Sequence, residues 1–93
     1  MVVGIGKVCL YAGWVNSLKE KRSVVKSIKD KVRYRFNVSI AEVESNNFHK
    51  SIVIAIACVS NSAKHSNSCI QKVINFIEEN TEAIVENIEL EIL

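Results

Sequence analysis

An α+β sandwich, four antiparallel strands covered on one side by two helices in the order βαββαβ, is the architecture that this 93-residue sequence predicts. Three observations predict it. Four runs rich in β-branched residues fall at 2–12, 38–44, 51–60 and 84–93. Two stretches with apolar residues at helical spacing separate the first run from the second and the third from the fourth. Proline is absent, 48% of residues are apolar and 24% are charged, a composition that supports one packed core and no disordered segment.

The first strand, 2–12, is apolar on both faces apart from Lys7, and Gly13, Trp14, Val15 and Asn16 supply the turn that follows. Ser17-Leu18-Lys19-Glu20 is a capping box, in which the Ser17 hydroxyl accepts from a free N–H of the first turn and Glu20 reaches back. The first helix therefore spans 18–36, burying Val24, Val25, Ile28, Val32 and Phe36, with Asn37 as its left-handed terminator. Residues 38–44 and 51–60, joined through turn chemistry at Ser45-Asn46-Asn47, read as a hairpin. Asn61 and Ser62 offer an N-cap to a second helix over 62–80, whose inner stripe is Cys69, Ile70, Val73, Ile74 and Ile77 and whose terminator is Asn80. In the last strand Ile88, Leu90 and Ile92 alternate with Glu89 and Glu91, one face dry and one wet. Two βαβ units with right-handed crossovers, sharing one antiparallel sheet, give the ferredoxin-like sandwich, with strand order 4-1-3-2 and both helices on one face.

In the third strand Val53, Ala55, Ala57 and Val59 alternate with the bulkier Ile52, Ile54, Ile56 and Cys58. The bulky set is assigned to the helices, which leaves small apolar residues on the open face of the sheet. Either that face meets another molecule or its side chains are too small to need cover. With Ile5, Cys9 and Tyr11 it forms a contiguous apolar surface and predicts a weak homodimer through the sheet, Lys7 pairing across the ladder with Glu89 and Glu91.

Charge is segregated along the chain. Residues 1–41 carry nine Lys/Arg against two Asp/Glu, net +7, and residues 42–93 carry three against eight, net −5. Eight of the twelve basic residues lie between Lys19 and Arg35. Lys19, Arg22, Lys26, Lys29 and Arg33 follow spacings of 3, 4, 3 and 4, which lines them along one face of the first helix over roughly 21 Å at about 1.5 Å of rise per residue. Asp30 is the one acid flanking the line, one turn beyond Lys26. Lys21 and Arg35 fall near the apolar stripe and are expected to snorkel at its two ends.

Cys9, Cys58 and Cys69 form no Cys-x-x-Cys and have no histidine at metal spacing, so they read as small buried hydrophobes and no metal or cofactor is expected. The N-terminus lacks the pattern of a signal peptide, and the longest apolar run, 52–59, is far short of a membrane span. A cytoplasmic chain that makes no membrane contact is the expectation.

The sequence resembles the YlxP-like family of small bacterial proteins. The resemblance is carried by Met1-Val2-Val3-Gly4, by the unbroken block from Ser17-Leu18-Lys19-Glu20-Lys21-Arg22 through Asp30, by Phe36-Asn37-Val38-Ser39-Ile40-Ala41-Glu42-Val43, by Val59-Ser60-Asn61 with His65, and by Glu89-Leu90-Glu91-Ile92-Leu93. It spans essentially the whole chain. It implies a ferredoxin-like fold and a gene setting beside translation initiation and a ribosome-binding factor. It implies no activity and no catalytic residues, and nothing about Trp14.

A single-sign line of cations matches a chain of phosphates, whose neutralisation releases counterions. The expected function is accordingly a non-catalytic accessory protein that docks on RNA or a ribosomal particle through Lys19, Arg22, Lys26, Lys29 and Arg33; the bland alternative is a solvated helix face. Exposed aromatics on the central strands, which RNA-recognition motifs use for stacking, are missing, Tyr11 excepted. Trp14 and Phe48-His49 lie in loops at one end of the sheet, either as a small stacking platform or as covers of the core edge. Asn61, Ser62 and His65, with Arg35 from the end of the first helix, compose a candidate anion pocket at the second helix's N-terminus, against the plainer reading of an N-cap and a first-turn histidine. Catalysis finds no support. The acylphosphatase turn and arginine, the Cys-x-x-Cys of copper-carrying domains, and any Ser/His/Asp or Cys/His pattern are all missing. The rival class is a small-molecule-sensing or protein-interaction module that works through the open sheet.

Overall fold

A computed structural model of the chain describes residues 1–44 and 47–93. Strands β1 (Val2–Tyr11), β2 (Ser39–Glu44), β3 (Ser51–Ser60) and β4 (Ile84–Ile92) form one sheet, with helices α1 (Leu18–Arg35) and α2 (Ala63–Glu79) between β1 and β2 and between β3 and β4. The spatial order is β2-β3-β1-β4, the predicted 4-1-3-2, and every neighbouring pair is antiparallel. Of the expected turn at Ser45-Asn46-Asn47, Ser45 and Asn46 lie outside the described residues.

The capping box forms: Glu20 N–H donates to Ser17 Oγ at 3.1 Å. The Glu20 carboxylate reaches one residue further back than expected and accepts from Asn16 N–H at 3.1 Å. At its other end α1 stops at Arg35, and the cap is Phe36 in an extended conformation rather than a left-handed Asn37. The Phe36 ring makes an edge contact with Phe76 of α2, centroids 5.4 Å apart and planes at 75°. That contact takes Phe36 off the helical path. In α2 the Ser62 hydroxyl accepts from His65 N–H at 3.2 Å, and Asn80 caps the end with its Nδ2 donating to the Phe76 carbonyl at 2.9 Å.

The core lies between sheet and helices. Val8 and Leu10 of β1 and Ile52, Ile54, Ile56 and Cys58 of β3 point up into it, as the bulky set was assigned to do, and meet Val25, Ile28 and Val32 of α1 and Ile70, Val73, Ile74 and Ile77 of α2. Cys69 is half-buried beside them, and burial, followed by the neighbouring Cys58 thiol, pushes its own thiol above its ordinary value, which lowers the reactive thiolate fraction.

Two glycines let α2 come down onto β1. A Cβ on Gly4 would lie 3.0 Å from Ser66 Cβ, and one on Gly6 would lie 2.6 Å from Ile70 Cγ2. With α2 seated over β1, the outer strand β4 falls at the rim. Ile88, Leu90 and Ile92 face the helix layer opposite Val8, Gly6 and Gly4, yet stay 39%, 43% and 38% exposed. The dry face expected of the last strand is therefore only half covered, because α2 is centred over β1 and reaches β4 only in part.

Gly6→Ala should destabilise the domain by about 1–3 kcal/mol, the usual cost of overpacking, because the β-branched Ile70 beneath α2 has no free rotamer to yield. Urea unfolding monitored by circular dichroism checks this; an unchanged midpoint would show that α2 does not sit as close as described.

Candidate nucleic-acid interface

The rotation of α1 about its own axis decides where its cations point. Lys21, Val25, Ile28 and Val32 are its buried positions. Lys21 does not snorkel out as expected. It is 2% exposed, with its ammonium 2.8 Å from Glu42 Oε2 and donating to the Phe48 carbonyl at 2.8 Å. Glu42 can reach it because β2 has a bulge. Glu42 stands opposite Ile54 and Glu44 opposite Val53, so Val43 is an extra residue that throws the two glutamates to opposite faces of the sheet. Glu42 turns in beneath α1, and Glu44 turns out onto the open face.

Held in this way, α1 presents the stripe on the flank that overhangs β2. Lys19, Arg22, Lys26 and Arg33 are exposed and Lys29 is half-buried. Arg33 donates from Nη2 to the Ile40 carbonyl of β2 at 3.2 Å, which fixes its guanidinium at the sheet edge. Lys26 pairs with Asp30 at 2.6 Å, and that hydrogen bond holds the Asp30 carboxyl below its ordinary value. No hydrogen bond or ion pair among the described residues engages Lys19, Arg22 or Lys29. The five cations thus do share one surface, three of them uncommitted.

The second candidate set is not brought together. Asn61, Ser62 and His65 stand at the start of α2, and Ser60 closes that end internally: its hydroxyl lies 2.6 Å from the buried Ser66 hydroxyl and accepts from Ser62 N–H at 3.2 Å. Arg35 lies over the Phe76 ring, 5.3 Å from its centroid. Phe76 is three turns along α2 from His65, about 16 Å by helical rise, so Arg35 does not reach the pocket assigned to it. The two helices are staggered along their length, and the end of α1 meets the later half of α2.

Trp14, Phe48 and His49 are at one end of the sheet, as the topology requires, and Lys50 ties their loops together. Its ammonium donates to the carbonyls of Gly13 and, at 2.9 Å, of Val15, while Ala12 N–H donates to the Lys50 carbonyl at 2.8 Å. Trp14 is 42% and Phe48 69% exposed. On the open face Lys7 pairs with Glu89 at 3.1 Å, as expected, and with Glu44 at 3.0 Å, reaching over the small Ala55. Hydrogen bonds to Glu44 and then Glu89 raise the Lys7 ammonium above its ordinary value. This charged bar crosses the sheet between Cys9 and Val53 on one side and Ile5 and Ala57 on the other, so the apolar surface is split rather than contiguous.

Sequence reasoning missed Glu42 and Glu44 as partners, and also Tyr34, a tyrosine 96% exposed on α1. The signal for Tyr34 was available: it falls on the helix side turned away from Val25, Ile28 and Val32. Among the described residues no cluster of three or more His, Cys, Asp or Glu is arranged to hold a metal, and no helix is long and apolar enough to cross a membrane.

Residues 3–90 match the family described as Protein of unknown function (DUF503). The chain is 40% identical over 62 residues to the Uncharacterized protein YlxP of Bacillus subtilis (strain 168), a match that covers 67% of each. Among solved structures it is similar to a de novo designed protein with a ferredoxin fold, at a TM-score of 0.63 and 12% identity over 98% of this chain and 85% of that one. That likeness shows the fold alone. A weaker similarity is to SnoaB, a cofactor-independent oxygenase from Streptomyces nogalater, at a TM-score of 0.44 and 8% identity over 99% of this chain and 89% of that one.

Lys21 and Lys19 separate structural from surface charge. Lys21→Ala strands the Glu42 carboxylate, 19% exposed, beneath α1 and should cost about 3–5 kcal/mol, whereas Lys19→Ala should stay within about 0.5 kcal/mol. Equal small losses in urea unfolding would show that the buried pair does not hold α1.

Proposed function

The chain belongs to the family of proteins of unknown function DUF503, to which it is matched over residues 3–90, and from that premise we propose that it is an accessory protein that docks on RNA or on a ribosomal particle through the basic flank of α1. The observation that carries the reading is the uncommitted charge: among the described residues Lys19, Arg22 and Lys29 are held in no hydrogen bond or ion pair, on a helix that already spends Lys21 on the core. A solvated structural helix gains from mixed charge at i,i+4, and this one has a single such pair, Lys26–Asp30. Phosphates spaced along a strand would replace the water and counterions around the remaining cations, giving affinity without sequence choice. The translation-linked gene setting that the family resemblance implies agrees with a ribosomal target. The acidic later part of the chain, net −5 over residues 42–93, would turn away from the nucleic acid and orient the approach.

Two variants test this in opposite directions. Lys19→Glu with Arg22→Glu touches no side-chain hydrogen bond or ion pair among the described residues. It should abolish co-sedimentation with ribosomal particles and lower the slope of log affinity against log salt by about 0.7–0.9 per lost contact. Asp30→Asn frees Lys26 and should tighten RNA binding a few-fold and steepen the same slope by about one contact. Because Lys26 holds Asp30 in its charged form, acidification has to pass below the ordinary aspartate range before it frees Lys26 in the same way. Wild-type protein that shows no salt-sensitive binding to RNA or ribosomes ends the proposal.

A further inference from the structure

The docking flank leaves unused the groove beside it, between the end of α1 and the later half of α2. Its walls are Lys31, Tyr34 and Arg35 from α1 and Phe76 and Asn80 from α2, with Asp30 at its mouth. Tyr34 is 96% exposed, so its ring contributes almost nothing to the core. At about 100° per residue it lies on the outer surface of α1, between Arg33 of the stripe and the groove. Behind it the Arg35 guanidinium lies over the Phe76 ring at 5.3 Å, and Phe76 meets Phe36 edge-on, so the far wall is a set of planar groups fixed by one another. Asn80 uses Nδ2 on the Phe76 carbonyl at 2.9 Å, and its Oδ1 has no hydrogen bond among the described residues.

This is the carbonyl end of α1, where the helix dipole disfavours phosphate. An uncharged planar group suits it better. A nucleobase is such a group, and it would bring the ring face that Tyr34 lacks and the polar edge that Asn80 can meet.

We infer that the groove is a base-stacking subsite and that the nucleic acid docked along α1 is single-stranded RNA, its phosphates on Lys19, Arg22 and Lys29 and one unpaired base on Tyr34. The inference rests on the docking reading above and names the class of RNA it takes. A duplex keeps its bases in the stack and offers Tyr34 none. Stacking also supplies the aromatic contact that the central strands lack.

The test compares a single-stranded RNA dodecamer with a blunt duplex of the same length and sequence, at two salt concentrations, for wild type, Tyr34→Ala, Tyr34→Phe and the Lys19→Glu, Arg22→Glu double variant. Tyr34→Ala should weaken single-strand binding about ten- to a hundredfold, leave duplex binding unchanged, and keep the salt slope, since no phosphate contact is lost. Tyr34→Phe should retain single-strand affinity within about threefold. The inference is overturned if Tyr34→Ala leaves single-strand affinity unchanged, or lowers single-strand and duplex affinity alike, while the charge-reversed variant still weakens both; docking on phosphates would then stand without stacking. If wild type binds neither RNA in a salt-sensitive way, the docking reading fails and takes this inference with it. Because Tyr34 is solvated, its replacement should not alter the fold, and circular dichroism of each variant verifies that.

Discussion

Beneath α1 a lysine is buried where a helix ordinarily places an aliphatic residue, and the placement of the helix follows from how that charge is answered. Lys21 continues the buried line of Val25, Ile28 and Val32, one turn earlier. Removing its ammonium from water is tolerable only with a carboxylate and a further acceptor at hand, and Glu42 and the Phe48 carbonyl provide them at 2.8 Å each. Both partners belong to the β2–β3 arm. The pair therefore fixes the roll of α1, its distance from β2 and the course of the chain near Phe48 together. With the roll fixed, the cations a third of a turn away have no choice of direction, and they line the flank over β2.

The bulge at Val43 makes that answer available and has a second effect on the other side of the sheet. In a regular strand Glu42 and Glu44 would share a face. With the extra residue, one serves the buried lysine and the other joins Lys7 and Glu89 in a bar across the open face. The exposed bar adds little to stability. Its effect is on surface chemistry, since it interrupts the apolar sheet face that self-association or a sheet-borne ligand would use. The helix-side layer, by contrast, is tightened by Gly4 and Gly6, at the expense of cover for β4. The result is a domain with a cationic flank at one edge and an acidic, half-apolar strand at the other.

Much of this could be read from the residues. Both N-caps and the buried stripes follow from periodicity and cap chemistry, which act over a few residues and leave a local trace, and strand order follows from the element order once crossovers are right-handed. The alternation of Ile52, Ile54 and Ile56 with Val53, Ala55 and Ala57 assigned the faces of β3 for the same reason. What was not legible depends on distances between elements. A bulge leaves no mark in a run such as Ala41-Glu42-Val43-Glu44, so neither glutamate could be matched to its lysine. The stagger of the helices, set by the Phe36–Phe76 contact, decides that Arg35 meets Phe76 and not His65, and helix periodicity carries no information about stagger. Phe36 as cap, in place of Asn37, has the same origin. The line of five cations and the pairing of Lys26 with Asp30 were visible because both are helical repeats; that Arg33 is tied to the Ile40 carbonyl needed the fold.

On the proposed function, the basic flank of α1, and not the sheet, is the working surface of this protein. Titration of 15N-labelled protein with a single-stranded RNA oligonucleotide, followed by NMR, tests it most directly because it reads every backbone amide at once. The account predicts shift changes confined to α1 around Lys19, Arg22, Lys26 and Lys29 and to the adjoining groove, reversed by added salt, with the amides of Val53, Ala55, Ala57 and Val59 unmoved. Changes centred on β1 and β3, or none at any RNA concentration, would contradict it.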